Sequence, residues 1–334
     1  MRRVLIAVVL LSLVAAVMYS FHRRGEAHLP DVYAGERHVT LWSSTAMVRE
    51  ALMTLNYGER LQVVARAGDQ VQVRTAQGVT GWVESRNLMD AGLWDRVGAL
   101  LAQARTMPAQ ARGHTKVPSN LRVEPGRDAA RILQLGRDVP VEFLARRVVD
   151  APAAANEKAS GEEPAEEKHE DWWMVRADVK DAGQTAGWVL GRFIALDLPG
   201  PLPDVVSSAG IHVVGWFELN HVSDAARGEM PQYVVVGGHG GESKGCDFTL
   251  LRVYTWGAAR KRYETAYVES SLCGELPVRV TAAAQSGGDA SFRFTAIEKN
   301  GKDERSYRMH QTVVRRVREG ENSRAPAKGG RHRG

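Results

Sequence analysis

Two periods of apolar residues divide the chain. Gln70-Val71-Gln72-Val73-Arg74 alternates polar and apolar positions, the pattern of a half-buried strand. Phe292, Phe294 and Ala296 alternate in the same way with Arg293 and Thr295. Leu93, Trp94, Val97, Leu100, Leu101 and Ala104 instead recur at helical spacing behind Asp90, which is suited to an N-cap. They predict an amphipathic helix over 91–105 that ends before Pro108. From 210 to 318 the pattern is entirely β, with strands expected at 211–217, 233–236, 248–256, 266–269, 278–282, 291–297 and 306–315. Asn300-Gly301 marks a hairpin turn into the last of these. Strands so closely spaced predict a sandwich or a compact twisted sheet.

The tripeptide Gly-Trp-Val occurs at 81–83 and again at 187–189, each copy closing a similar β-rich stretch. In both, a turn of glycine and charged residues (Tyr57-Gly58-Glu59-Arg60; Leu135-Gly136-Arg137-Asp138) precedes an apolar alternating run, a second run and the Gly-Trp-Val strand. This order resembles the bacterial SH3-like (SH3b) domain, a small five-stranded barrel. The second copy carries the fuller signature, including Asn120-Leu121-Arg122-Val123, whereas His38 to Leu55 in the first lacks that opening. With the segment "FTLLRVYTWGAARKRYETAY", the tandem arrangement is similar to that of envelope proteins of soil bacteria. The resemblance implies a mainly β chain of two small SH3-like barrels joined by a short amphipathic helix and followed by an all-β domain. The expected boundaries are a signal peptide or anchor at 1–24, a linker at 25–37, a first barrel at 38–90 and a helical spacer at 91–113. A second barrel at 114–198, a linker at 199–209, an all-β domain at 210–318 and a basic tail at 319–334 follow.

At 334 residues the chain is too long for one ordinary core. The net charge of +5 suggests a nucleic-acid footprint until it is located. Residues 315–334 carry Arg315, Arg316, Arg318, Arg324, Lys328, Arg331 and Arg333 against Glu319 and Glu321, so the tail accounts for the excess. No specific nucleic-acid partner follows from it. Residues 151–170 hold Ala, Pro and Glu with no large apolar side chain, which predicts a disordered acidic insert within the second barrel. At the N-terminus, Arg2-Arg3 precede an apolar run from Val4 to Met18, with Tyr19 and Phe21 beyond it. It reads either as a cleaved export signal or as an inner-membrane anchor through residues 4–21. Both place the body in the periplasm or outside the cell. There Cys246 and Cys273 are expected to form a disulfide, whose loop of about 28 residues contributes around 3 kcal/mol.

Candidate chemistry is sparse. Cys246 in "SKGCDFTLL" superficially resembles the nucleophile of papain-like wall endopeptidases, with His310 downstream. That chemistry needs a thiolate at a helix N-terminus, and the residues after Cys246 read as a strand. Gly237 to Lys244 lacks the spacing of a phosphate loop, and His239, Glu242, Cys246 and Asp247 fit no tight metal pattern. No catalytic residue, metal or cofactor is assigned. Trp82 and Trp188 are expected to plug the two barrels. In Trp172-Trp173, one ring should be buried and the other should reach the surface, since adjacent strand residues face opposite ways. Those two tryptophans and Tyr57 are therefore the candidate ligand-binding residues. The expectation is a non-catalytic envelope protein that recognises peptidoglycan peptides. The alternatives are a scaffold for envelope protein segments and, more remotely, a cell-wall hydrolase using Cys246.

Overall fold

In the computed structural model, residues 30–151, 169–239, 245–284 and 288–317 are described. The signal or anchor, most of the acidic insert, Glu242 and the tail from 318 lie outside them. The fold is mainly β, as expected, with three antiparallel sheets of seven strands each. The chain divides after Asp95 into two compact units.

The first unit holds β1 (Asp31–Ala34), β2 (His38–Trp42), β3 (Ala51–Asn56), β4 (Arg60–Ala67), β5 (Gln70–Arg74), β6 (Thr80–Glu84) and β7 (Leu88–Asp90). They lie in the order β3-β2-β6-β5-β4-β1-β7. The second unit opens with β8 (Ala111–Thr115), β9 (Ser119–Arg122), β10 (Arg131–Leu135), β11 (Pro140–Asp150), β12 (His169–Val179), β13 (Gly183–Leu190) and β14 (Ile194–Leu196). Their order is β10-β9-β13-β12-β11-β8-β14, the first order advanced by seven strands. The Gly-Trp-Val copies fall on β6 and β13, the same position in each sheet.

Neither sheet closes into a barrel through its strand pairing, which corrects that expectation. A single residue pair joins β2 to β6 (Trp42 with Trp82) and β9 to β13 (Arg122 with Trp188). At that seam the outer strands fold across the others without completing a ring. Each copy also begins earlier than the sequence pattern suggested. β1 occupies the expected linker and has only four residues, and β8 straddles the end of the expected spacer, where its inward positions Ala111, Gly113 and Thr115 carry no large apolar side chain to mark a period. The acidic insert runs between β11 and β12, and His169-Glu170, counted with it, are the first residues of β12.

The predicted helix is α1 (Ala91–Thr106), and the Leu93 amide donates to Asp90 Oδ1 at 2.7 Å as an N-cap. Within the first unit, Trp94 stacks on Tyr33 at 4.9 Å and meets Tyr57 edge-on at 5.7 Å. In the second unit, Ala104 joins a buried cluster with Leu144, Trp172, Met174, Ala186, Trp188 and Leu190.

The third sheet is a meander whose strands keep chain order: β15 (His212–Asp224), β16 (Gly228–Gly238), β17 (Phe248–Gly257), β18 (Arg262–Thr281), β19 (Asp289–Glu298), β20 (Gly301–His310) and β21 (Val313–Val317). The expected runs at 266–269 and 278–282 are one long strand, β18. The expected run at 306–315 is instead divided by a turn at Gln311, where φ is 54°. One face of the meander encloses a core of Phe248, Phe292, Phe294, Tyr307 and Met309. The other packs on α2 (Leu202–Ser208) through Leu202 and Val206. That helix lies in the expected linker, where prolines in its first turn suit helix initiation rather than preventing it.

Gln110, fully buried, ties the second and third sheets into one unit. Its backbone carbonyl accepts from the Trp216 amide at 3.1 Å. Its side-chain oxygen accepts from the Val278 amide at 2.7 Å, and its amide nitrogen donates to the Pro108 carbonyl at 2.9 Å. Gln110→Ala would leave a buried Val278 amide without an acceptor and is expected to cost about 2–3 kcal/mol. Chemical denaturation measures this, and a loss below about 0.5 kcal/mol would contradict the tie.

Candidate functional site

The tryptophans expected at a binding surface are both buried, Trp172 at 2% and Trp173 at 4% exposure. This corrects the expectation that one would reach solvent. β12 is a central strand, and both of its faces are covered. Trp173 meets Phe143 edge-on at 5.1 Å on the inner side, while Trp172 lies in the cluster beneath α1. Their indole nitrogens donate to Asp171 Oδ2 and Glu170 Oε2. Tyr57 is half-buried against Trp94 in the first unit, in a different unit from both tryptophans.

Trp82 and Trp188 do not plug the sheet interiors either. The inward residues of the tripeptide are its glycine and valine. A Cβ on Gly81 would lie 2.7 Å from Leu41 Cγ, and one on Gly187 would lie 3.0 Å from Ile132 Cδ1. The tryptophans therefore take the outer face. Trp188 is buried there under α1, whereas Trp82 is only half-buried.

Cys246 and Cys273 are bridged, as expected, with Cα atoms 4.9 Å apart, so Cys246 offers no thiolate. His310 Nδ1 lies 2.6 Å from Asp289 Oδ1. Among the described residues no group of His, Cys, Asp and Glu could hold a metal ion.

The residues that do converge surround a cleft of about 850 Å³ in the second unit. It lies between the end of α1 and strands β8 and β11 to β14. Arg176 organises its floor. Nε and Nη2 contact Glu142 Oε2 at 2.8 and 2.5 Å, and Nη1 donates to the Ala104 carbonyl at 2.6 Å. The guanidinium thus caps the C-terminus of α1, where a cation is favoured. Arg105 Nε donates to Gln184 Oε1 at 2.8 Å. Arg112 and Asp178 are exposed on the rim, and Asp197 meets His114 at 2.7 Å. Gly113 is required beneath them, because a Cβ there would lie 1.9 Å from the Ala195 carbonyl oxygen. The lining side chains carry guanidinium and carboxylate groups but no thiol, hydroxyl or imidazole. No motif flagged this cleft. Its residues come from separate strands, and only pairing brings them together.

A second polar cluster lies where the second sheet meets the third. Arg146 is 2.7 Å from Asp171 and donates to the Asp247 carbonyl at 3.4 Å, while Asp247 Oδ2 accepts from the Leu276 amide. Burial holds both carboxyls above their ordinary range, against the lowering pull of Arg146 and, on Asp171, of His212. Glu275 and Asp171 push Asp247 further up.

No family model matches the sequence, and no curated protein matches it. Among solved structures, the chain is distantly similar to an NlpC/P60 family protein from Bacillus cereus ATCC 10987, at 14% identity and a TM-score of 0.21. That similarity covers 57% of this chain and 65% of that one. NlpC2 from Trichomonas vaginalis follows at 10% identity and a TM-score of 0.17, covering 89% of this chain and 94% of that one. NlpC1 from the same organism stands at 8% and 0.17, covering 73% and 91%. At these scores no activity, substrate or site residue is carried across. No helix among the described residues is long and apolar enough to cross a membrane.

A carboxyl whose pKa is raised on folding binds its proton more tightly in the native state. Its burial therefore costs nothing below the unfolded pKa, and the cost grows as pH rises through the folded value. Asp247→Asn keeps an acceptor for Leu276 and removes the charge. Urea midpoints from about pH 3.5 to pH 7 are expected to show little difference in acid and a growing advantage for the variant toward neutrality. A wild type that gains on the variant over that range would show that Arg146 holds Asp247 charged.

Proposed function

We propose that the chain is an exported envelope protein that recognises a peptide without transforming it, using a duplicated SH3-like sheet whose second copy carries the binding cleft. The observation that carries this reading is the composition of the cleft. Arg105 and Arg112 suit the carboxylates of a short peptide, and Asp178 and Asp197 suit its amines. No thiol or hydroxyl lines it. Guanidinium–carboxylate contacts are charge-assisted and directional, so such a cleft selects for amphoteric ligands. Its volume falls in the range of small-ligand sites. Peptidoglycan stem peptides have this chemistry, and the disulfide suits the oxidising compartment where they are found.

The full chain is expected to sediment with isolated peptidoglycan, and Arg105→Ala and Arg112→Ala should each weaken binding by roughly tenfold. Both variants should keep the wild-type melting temperature. Trp172→Ala, by contrast, is expected to cost about 3–5 kcal/mol of stability because its ring is core. Sedimentation unchanged in both arginine variants would remove the cleft from the account. Absence of sedimentation, with a defined protein recovered by crosslinking in the envelope, would favour the scaffold alternative.

A further inference from the structure

A smaller pocket of about 200 Å³ opens near the start of β12, where Pro118 to Arg122 meet the 3₁₀ turn Gly191–Phe193. Pro118, Trp172, Leu190 and Phe193 give it an apolar wall, and Arg122 and Arg192 line it as well. Neither of these arginines has a carboxylate partner among the described residues. Arg122 is half-buried and donates Nη1 to the Ala129 carbonyl. Burial lowers its pKa, with Arg131 adding to the effect and the charge of Asp128 opposing it. Arg192 is exposed and lies over the Phe193 ring at 5.0 Å, which leaves the edge of its guanidinium free to donate. Arg127, the third guanidinium here, is already matched. Its Nε donates to Glu170 Oε1 at 2.6 Å, and Glu170 also accepts from the Trp172 indole at 3.2 Å.

The fold does not impose this chemistry. The first copy has a concavity at the equivalent place, between the start of β5 and the turn Ser85–Asn87. Gln70 stands there at the register position of Trp172, and Glu84 at that of Leu190. Arg86 corresponds to Arg192 but is held by Glu84 at 2.6 Å. The second copy thus replaces the carboxylate with an apolar side chain and leaves its arginine unmatched.

We infer that this pocket binds a carboxylate carried on a small apolar group, the chemistry of a peptide's C-terminal residue or of a free short-chain acid. Arg122 and Arg192 supply charge-assisted donors for the carboxylate oxygens. Arg122 gains most, because an anion beside a partly desolvated cation offsets the burial of its charge. The apolar wall receives the group that carries the carboxylate. At about 200 Å³ the pocket is smaller than sites that enclose a whole ligand, so it suits one residue at the end of a chain. Inorganic phosphate would use the two arginines but leave the apolar wall in water. The inference does not rest on the cleft, with which the pocket shares no lining residue.

NMR of the full chain with isotope-labelled arginine reads the side-chain Nε–H signals of Arg122 and Arg192, assigned through Arg122→Gln and Arg192→Gln. N-acetylalanine is expected to shift both signals saturably, and its C-terminal amide, which lacks the charge, should shift neither. N-acetylglycine should bind roughly fourfold more weakly, from the loss of one buried methyl group. Propionate binding as tightly as N-acetylalanine would make a free acid the source of the ligand, and weaker binding would make it a peptide terminus; both outcomes uphold the pocket. Arg192→Gln should weaken the response at Arg122 by roughly tenfold and keep the wild-type melting temperature, since its side chain is exposed. Phosphate shifting the two signals at equal or lower concentration would overturn the inference in favour of a simple anion. Shifts confined to Arg105 and Arg112 would overturn it and leave the cleft standing. Absence of any shift would overturn it too, and a shift that appears only in Glu162→Gln/Glu163→Gln/Glu166→Gln/Glu167→Gln would make the chain's own acidic insert the occupant.

Discussion

A buried primary amide is costly unless its donors and acceptor are met, and Gln110 meets that constraint by reaching from the second sheet to the third. Its carbonyl groups receive amides from β15 and β18, two strands far apart in the meander. Asp247 supports the same stretch of β18 through the Leu276 amide, beside the Arg146–Asp171 pair. These polar contacts sit at a bulge where pairing between β18 and β19 shifts register, so the amides of Leu276 and Val278 need partners outside the ladder. The outcome is one body made of a repeat and a meander. A cleft built on such a body is held in place before any ligand arrives, which limits the ordering cost of binding.

Strand order and register show the duplication more fully than the tripeptide does. Gln62 pairs with Arg74 in the first sheet as Glu142 pairs with Arg176 in the second, so the arginine is common to both copies. The glutamate that anchors it is present only in the second copy. Asp31 occupies the register position of Arg112, which gives the rim the opposite charge. The outer faces differ as well. Trp188 is buried beneath α1, while Trp82 remains half-buried beside Trp42, over which Arg49 lies at 4.4 Å. One architecture thus supports two different surfaces, and only one of them carries the cleft.

Local patterns were legible where they were strong. The Asp90 cap, the helix behind it, the alternation of β5 and β19 and the cysteine pairing all follow from short-range chemistry. Parity within Gly-Trp-Val puts glycine and valine on one face and tryptophan on the other, against the general preference of a large aromatic for the sheet interior. Glycine faces inward there because strands cross closely at the seam. Trp173 faces the sheet interior against Phe143, while the burial of Trp172 depends on a helix some seventy residues earlier covering β12, which no local period encodes. The cleft was illegible for the same reason, since its charges become neighbours only through pairing. In the last domain, a bulge at Pro277 made one long strand read as two, and the turn at Gln311 lacked a glycine or proline to mark it.

The functional reading depends on the second repeat and the meander behaving as one rigid platform. Native-state hydrogen exchange of the Val278 and Trp216 amides, compared with Val175 in the centre of β12, measures that property. The account predicts that all three open with the same free energy and shift together in denaturant, as members of one cooperative unit. Exchange of Val278 and Trp216 through an opening several kcal/mol cheaper than that of Val175 would contradict it, because the meander would then detach while the repeat stayed folded.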